Sequence, residues 1–362
     1  MSEKPHSSNP DGISHISRYD LAPRVASYER NLFHQTRDLL RPYGITFNDA
    51  GGLKAQLKDN TTVSTADLHR LHALLLQMNY IRETGKLPPE ARENLEQNLE
   101  RAREYLGKEN VYGPVEVRTA FDIDLDPTEI PPITYSDEEF EKAKKLGMML
   151  VLRVSKDNEG NDLTGTRLHE IAQERFTSQD GIALLDTSEY RNETFFTKEN
   201  PKLEWKLVTR EALPNSTEMN YLEQTKLLRD KLKDNGWLTS AEEAECTNEE
   251  LAELQAILNE HWQQNQQKDV ALLLANLLIT LNHRRTFVQA FYDTLLVFLA
   301  SEGHTDRLLG PIAGWEALDD WTATRSSKGE LVSFGRFSAV GAIVRDWAPD
   351  DKYGFRGSYL SR

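Results

Sequence analysis

Hydrophobic residues recur at helical spacing through most of the first 107 positions of the chain. Residues 28–40 and 64–78 each show apolar side chains every three or four positions, and the second run opens with an N-cap pattern at Ser64. Pro88 and Pro89 open a further helix, whose Glu and Arg residues are spaced to pair across its turns. A helical module is therefore predicted over residues 14–110, after a disordered polar N-terminus at residues 1–13.

The middle of the chain alternates between strand-like and helical runs. Residues 148–154 form a short, mostly apolar and partly β-branched run, which predicts a buried strand. A helix is expected over residues 164–176, a short strand around 205–208 and an amphipathic helix over 220–233. Four prolines and a run of acidic residues mark residues 111–145 as a linker or acidic segment between the helical module and this first strand.

The last third of the chain changes from helix to strand. The pattern is helical from residue 239 to 300, and residues 286–299 are apolar nearly all round, so that helix is expected to be buried. Residues 321–362 are poor in helix formers and contain five glycines. Strand composition occurs at 331–337, 342–347 and 355–360, with a turn at 338–341. Together these elements predict the α+β fold class.

Composition narrows the classes of function. The chain has 362 residues and a formal net charge of −15 without a basic stripe, which argues against a nucleic-acid partner. Its single cysteine, Cys246, allows no internal disulfide and favours a reducing compartment. The N-terminal residues lack a secretory signal, and the most apolar run, 270–281, is too short to span a bilayer. We expect a soluble, cytoplasmic protein without a membrane span, with a phage particle as the alternative location.

The polar clusters offer little catalytic chemistry. His69 and His72 could face one metal ion, but no third ligand is near in sequence, so two histidines on a half-exposed helix are the preferred interpretation. Cys246 lies among carboxylates, which would raise the pKa of its thiol and disfavour the nucleophilic thiolate. The alternating aspartates at 122–126 lack the glycine and terminal glutamate of a calcium loop and are interpreted as a solvated acidic strand face. No catalytic residue, metal site or cofactor is predicted.

The C-terminal stretch resembles a known family. The residues WTATRS at 321–326, the two strand-like runs that follow and YGFRG at 353–357 look like the C-terminal half of the C-type lectin fold. More narrowly, they are similar to the branch shared by formylglycine-generating enzymes and the variable proteins of diversity-generating retroelements, which are bacterial or phage proteins with a hypervariable C-terminal region. The resemblance covers residues 286–362 at the level of motifs.

The resemblance implies a specific architecture. Residues 146–362 would form a C-type lectin-like domain with a helical insertion at 236–285 and a variable region at 321–362. Its first strand, 148–154, would pair with its last strand, 355–360, and two helices at 164–176 and 286–300 would pack on them. Trp321 and Trp347 would lie in the core or frame the binding site.

The resemblance also implies ligand binding rather than catalysis. The reactive cysteines of the enzyme branch are missing near the C-terminus, and residues 348–351 do not match the calcium and sugar motifs of the sugar-binding lectins. Retroelements of this kind mutate template adenines, mostly in Asn-type codons, and these codons cannot become Trp, Met, Lys, Gln or Glu. Within residues 331–362 only Trp347 and Lys352 belong to those types.

A diversified outward surface is therefore expected to bind a protein ligand by contacts of the kind that antibody paratopes make. The candidate ligand-binding residues are Ser333, Phe334, Arg336, Ser338, Val340, Ala342, Arg345, Asp346, Ala348, Asp350, Asp351, Tyr353, Gly354, Phe355, Arg356 and Tyr359.

Other functions stay open at this point. A structural or assembly protein of phage or bacterial origin, whose C-terminal β-region only packs, would bury and pair Arg336, Arg345, Asp346 and Tyr353. An enzyme that uses the histidine pair would need stoichiometric metal. The oligomeric state is open as well, since the N-terminal helices could either dock to a partner or oligomerise.

Overall fold

A computed structural model provides the structure of the chain. It describes residues 32–33, 36–37, 39–40, 45–47, 53–55, 68, 71–72, 74–79, 90–126, 129–175, 189–263, 267–300, 319–338, 341–354 and 356–362. The chain divides into two compact units, the first comprising Met1–Glu96 and Asp126–Pro132 and the second Gln97–Leu125 and Ile133–Arg362. The predicted disordered segment, residues 1–13, lies outside the described residues.

The first unit contains helical backbone and one short hairpin. The described residues between 32 and 40 and between 68 and 79 are helical, at the positions that the apolar spacing predicts. Among them, Leu32, Leu74 and Met78 are buried. The strands β1 (Ile45–Phe47) and β2 (Leu53–Ala55) pair antiparallel, and the sequence pattern did not predict them.

The second unit contains eleven of the helices that the structure describes. They are α1 (Glu90–Leu106, which begins in the first unit), α2 (Pro114–Phe121), α3 (Asp137–Lys145), α4 (Gly165–Arg175), α5 (Thr194–Thr197), α6 (Tyr221–Asp234), α7 (Ser240–Glu245), α8 (Asn248–Gln263), α9 (Gln267–Asn276), α10 (Leu278–His283) and α11 (Phe287–Ala300). A 3-10 turn, Lys108–Asn110, follows α1. Capping boxes start three of the helices, with Ser136, Asn220 and Thr239 each accepting a backbone N–H.

A three-stranded sheet lies in the core of this unit, in the order β3 (Val111–Tyr112), β4 (Met148–Arg153) and β5 (Glu204–Thr209). Every residue of β4 is buried, as the apolar run predicts. The C-terminal residues join the sheet along β5, where the Leu207 N–H donates to the Arg362 carbonyl (2.8 Å) and the Arg362 N–H donates back to the Leu207 carbonyl (2.8 Å). The expected pairing of the first strand with the last is wrong, because β5 lies between them.

The second sheet has four strands in the order β8 (Gly341–Trp347), β7 (Leu331–Ser338), β6 (Asp319–Arg325) and β9 (Arg356–Gly357). Strands β7 and β8 form the predicted antiparallel pair. The third predicted strand, 355–360, is shorter than expected, because only β9 joins this sheet and the residues after it turn to β5. The described residues thus combine many helices with small, mostly antiparallel sheets, which is compatible with the α+β class.

The predicted linker at residues 111–145 is largely folded into the second unit. Pro114 is the first residue of α2, where a missing N–H costs nothing, so this proline opens a helix instead of breaking one. Asp122 ends the same helix in a left-handed conformation (φ 58°), and the expected acidic strand face at 122–126 is not a strand. Within the described part of the chain, no helix combines the length and the apolar character needed to cross a lipid bilayer.

Candidate ligand-binding surface

Alternation along β7 gives the C-terminal sheet two different faces. Phe334 points to α11, where its ring lies 5.6 Å from Phe287 and 5.5 Å from Phe291 between ring centres. Ser333 points the other way and is aligned with Trp321 on one neighbouring strand and Arg345 on the other. Because cross-strand neighbours share a face, the second face carries a row of polar and aromatic side chains.

Arg356 lies at the centre of an aromatic cluster on this second face. Its guanidinium carbon is 4.6 Å from the ring centre of Trp321, 4.3 Å from Trp347 and 4.4 Å from Tyr353. The Trp347 indole N–H donates to Ser333 Oγ at 3.0 Å. Cation–π contacts strengthen when water is excluded, and Arg356 is fully buried, so the cluster fixes the base of the loop at residues 348–354.

Further contacts fasten this loop to α6 and to itself. The Ala348 N–H donates to Asp351 Oδ2 (3.2 Å), and the Asp351 N–H donates back to the Ala348 carbonyl (3.1 Å). The Lys352 ammonium lies 2.6 Å from Glu223 Oε1. Burial alone would raise the pKa of Glu223, but the hydrogen bond from Lys352 and other donors lower it. The loop is therefore held at both ends and in the middle.

Five candidate ligand-binding residues are buried, which contradicts the expectation that they face outward. They are Ser333, Phe334, Ala342, Arg356 and Tyr359. Phe334 and Ala342 pack inward by strand alternation, Arg356 fills the aromatic cluster, and Tyr359 lies beneath the guanidinium of Arg285 at 5.0 Å. These side chains support the surface and cannot contact a ligand there.

Asp346 is a sixth candidate that does not face outward, since its side chain is only 8% exposed. Tyr190 Oη donates to Asp346 Oδ1 at 3.1 Å, and the Lys328 ammonium lies 3.3 Å from Asp346 Oδ2. The nearby carboxylate of Asp346 raises the pKa of Lys328. Asp346 therefore joins β8 to the residues before α5 and to the β6–β7 turn.

The remaining described candidates define what we call the loop surface. It comprises Arg345, Ala348, Asp350 and Asp351, which are half-buried, and Tyr353 and Gly354, which are exposed. Burial, with the neighbouring charge of Asp351 adding to it, raises the pKa of Asp350. A Cβ at position 354 would meet only the Glu218 side chain, at an ordinary contact distance of 3.6 Å. Val340 and Phe355 lie outside the described residues, as do the side chains of Arg336 and Ser338.

Comparison of the chain with protein-family models, with curated proteins and with solved structures gives no match. The loop surface must therefore be interpreted from its own geometry.

The cysteine and the histidine pair were the other candidates for catalytic or metal-binding sites. Cys246 is buried at the end of α7, where burial and then the charge of Glu245 raise the pKa of its thiol to about 11. His72 is exposed on helical backbone, whereas His69 lies outside the described residues. Among the described side chains, no three His, Cys, Asp or Glu residues converge as metal ligands would.

Residues outside the C-terminal stretch also hold the loop surface in place, and the sequence patterns did not predict them. Tyr190 binds Asp346, Glu223 binds Lys352, and the backbone N–H of Tyr221 donates to the Pro349 carbonyl at 3.1 Å. These contacts join residues more than a hundred positions apart. Local periodicity carries no signal for them.

Proposed function

We propose that the chain is a non-enzymatic binding protein whose loop surface contacts a protein ligand and is diversified by a retroelement. The loop surface combines an arginine, two aspartates and an exposed tyrosine with two small residues. Arginine and tyrosine supply contact area and hydrogen bonds, while small and acidic residues adapt to different partners. Most of the supporting side chains beneath it are buried and interconnected. Two surface residues also take part in the support, since Asp351 accepts from the Ala348 N–H and the Tyr353 ring lies 4.4 Å from the Arg356 guanidinium.

One observation carries the proposal. Within residues 331–362, Trp347 and Lys352 are the two residues that adenine mutagenesis of Asn-type codons cannot create. Both serve as fasteners: Trp347 covers Arg356 and hydrogen-bonds to Ser333, and Lys352 pairs with Glu223. A diversified segment needs constant residues at its anchoring points. The two residues that this mutagenesis could not have produced lie at two such anchoring points.

The proposed fold of the second unit is a C-type lectin-like domain. In support, α4 follows β4, α4 and α11 contact each other, and the C-terminal residues close onto the sheet that contains β4. Helices α7–α10 between β5 and α11 would be the helical insertion. The insertion of β5 between the first and last strands departs from the arrangement that the resemblance implies.

Sequencing sibling genes and any adjacent template repeat tests the proposal. Substitutions should cluster at positions 345, 348, 350, 351, 353 and 354, while Trp347, Lys352 and Arg356 stay constant. The buried positions 333, 334 and 342 in the same strands are the matched control set. An even spread of substitutions along the chain, or equal variation at the control positions, would overturn it.

A structural or assembly protein is the second candidate. The observation that favours it is Asp346, which is internal and paired with Tyr190 and Lys328, as expected for a β-region that only packs. Against it, Tyr353 is 42% exposed and Arg345 is half-buried. In that case, replacing Tyr353 and Arg345 by serine would impair assembly into particles, whereas sibling sequences would show no clustered variation.

A further inference from the structure

A pocket of about 430 Å³ opens at the edge of the first sheet, away from the residues of the loop surface. Its wall is formed by β4 and β5, by residues around α7 and α10, and by the C-terminal residues. Arg153 and Glu204 are cross-strand partners, and Lys206 lies two residues further along the same face of β5. The pocket is large enough for a small organic ligand.

The lining of this pocket is cationic although the chain as a whole carries a charge of −15. Five lining residues are cations, and two are carboxylates; the cations are Arg153, Lys202, Lys206, Arg284 and Arg362. Two of these cations have a carboxylate within 3 Å, since Arg153 lies 2.7 Å from Asp293 and Arg362 lies 2.6 Å from Glu139. Lys202 is exposed, whereas the Arg284 guanidinium is buried and donates to the carbonyls of Trp321 (3.1 Å) and Tyr221 (3.3 Å).

Lys206 shows the effect of this crowding. Its ammonium is 3.8 Å from Glu204 Oε2, but Glu204 also faces Arg153 Nη1 at 3.5 Å. Burial lowers the pKa of Lys206; Glu204 opposes the shift, and the charges of Arg153, Lys202 and Arg362 add to it. One carboxylate is thus shared between two cations, and an added anion would relieve the repulsion.

Buried hydrogen-bond donors at the pocket also lack partners among the described residues. Arg362 Nη1 and Trp237 Nε1 are both inaccessible to water and make no hydrogen bond. They lie next to each other, since the Arg362 guanidinium stacks on the Trp237 ring at 4.7 Å. A buried donor without an acceptor is destabilising, and an anion that reaches these atoms would remove that penalty.

We infer that this pocket binds a small multivalent oxyanion, such as a phosphate-bearing or polycarboxylate metabolite. Lys202 and Lys206 supply its charge complement. Arg362 and Trp237 supply directed N–H donors, and a guanidinium is suited to phosphate and carboxylate oxygens. This site is independent of the proposed ligand recognition by the loop surface.

Thermal unfolding of the full chain tests the inference. The probes are inorganic phosphate and citrate at low millimolar concentration, where the general stabilisation of folded proteins by these anions is small. Each is compared with potassium chloride at equal ionic strength, so that screening is matched. At a hundredfold excess over its Kd, the bound anion should raise the Tm by about 5 °C. A larger effect of phosphate or of citrate distinguishes the two classes of ligand.

Two variants and one control complete the experiment. Lys206→Met should abolish the anion-dependent rise while leaving the Tm in chloride unchanged or higher, because it removes a crowded charge. Trp237→Phe keeps the stacked ring but removes the N–H donor, so the Kd should rise about tenfold. The control, Lys198→Gln, removes an exposed lysine outside the pocket and should keep the full rise. Equal Tm values in chloride, phosphate and citrate, or a full rise in Lys206→Met, would refute the site.

Discussion

Removal of the Asp293 carboxylate is the most informative perturbation of the scaffold beneath the loop surface. This side chain on α11 is fully buried and accepts hydrogen bonds from Arg153 Nε (2.9 Å) and Nη2 (2.7 Å) on β4. Arg285 Nη1 lies 3.4 Å from the same carboxylate, and Arg285 also pairs with Asp320 on β6 at 2.9 Å. The four charges therefore link the first sheet, α11 and the C-terminal sheet.

The size of the effect follows from what Asp293→Asn leaves behind. Arg285 keeps Asp320, but Arg153 keeps only Glu204 at 3.5 Å and becomes a buried, poorly compensated cation. Breaking a buried ion pair by removing one partner costs about 3–5 kcal/mol. We expect about 3 kcal/mol, at the lower end, since the amide oxygen still accepts one hydrogen bond. For a unit of this size the Tm should fall by roughly 6–12 °C.

Urea unfolding followed by tryptophan fluorescence measures this loss. The control is Asp230→Asn, the same chemical change at an exposed ion pair, where Asp230 lies 2.7 Å from Arg229 and is 57% exposed. Exposed pairs contribute about 0–1 kcal/mol. The double variant Arg153→Met with Asp293→Leu should recover most of the stability, because it leaves no isolated charge. If Asp293→Asn costs no more than Asp230→Asn, or if the double variant is no more stable than the single one, the reasoning fails.

Three further predictions concern other sites. Glu242 accepts hydrogen bonds that lower its pKa to about 2 against the opposing effect of burial, and one of its oxygens lies 3.0 Å from His283 Nε2. Because the folded pKa is below the ordinary 4.5, the stability that the ionised Glu242 contributes is complete above pH 4.5 and is lost as the pH falls toward 2. Glu242→Gln should therefore cost up to about 3 kcal/mol at pH 7. In acid-unfolding curves, this difference from the unmodified chain should shrink below pH 4.5. Gly329→Ala should cost roughly 1–2 kcal/mol in urea unfolding, since Gly329 has a φ of 88° and an added Cβ would lie 2.9 Å from the Lys268 side chain. Gly354→Ala is the control and should be neutral, so equal losses in the two variants would contradict the prediction. Cys246, with a thiol pKa of about 11, should react with a disulfide reagent at pH 8 only after unfolding, and fast labelling of the native chain would show that the site is open.

Sequence patterns predicted the elements of the second unit better than their pairing. The apolar run of β4 and the all-round apolar helix α11 were identifiable because burial on every side leaves a compositional trace. The order of the strands was not, because the C-terminal residues could pair with β4 or β5 without any change in composition. The pairing with β5 includes two hydrogen bonds at Thr209. Its hydroxyl accepts from the Leu360 N–H at 3.0 Å, and its own N–H donates to the Leu360 carbonyl at 2.9 Å.

Sequence patterns did not separate the exposed from the buried residues among the candidates of the C-terminal stretch. Composition alone cannot tell an arginine that faces solvent from one that fills an aromatic cluster, and Arg356 and Arg345 therefore looked alike. Their difference arises from the positions of Trp321, Trp347 and Tyr353 around Arg356, which depend on the register between β6, β7 and β8. Tertiary pairing, and not local preference, separates support from surface.

If the proposed diversification occurs, this separation would determine which substitutions the fold tolerates. Substitutions at exposed positions that make no special contact usually change stability by less than about 0.5 kcal/mol, whereas loss of a buried charge or ring contact costs several times more. Gly354 belongs to the first class, and Arg356 belongs to the second. Diversification confined to positions of the first class would therefore alter ligand contacts without consuming the stability of the domain. The same change at Arg356 would open the aromatic cluster and release the loop that presents the surface.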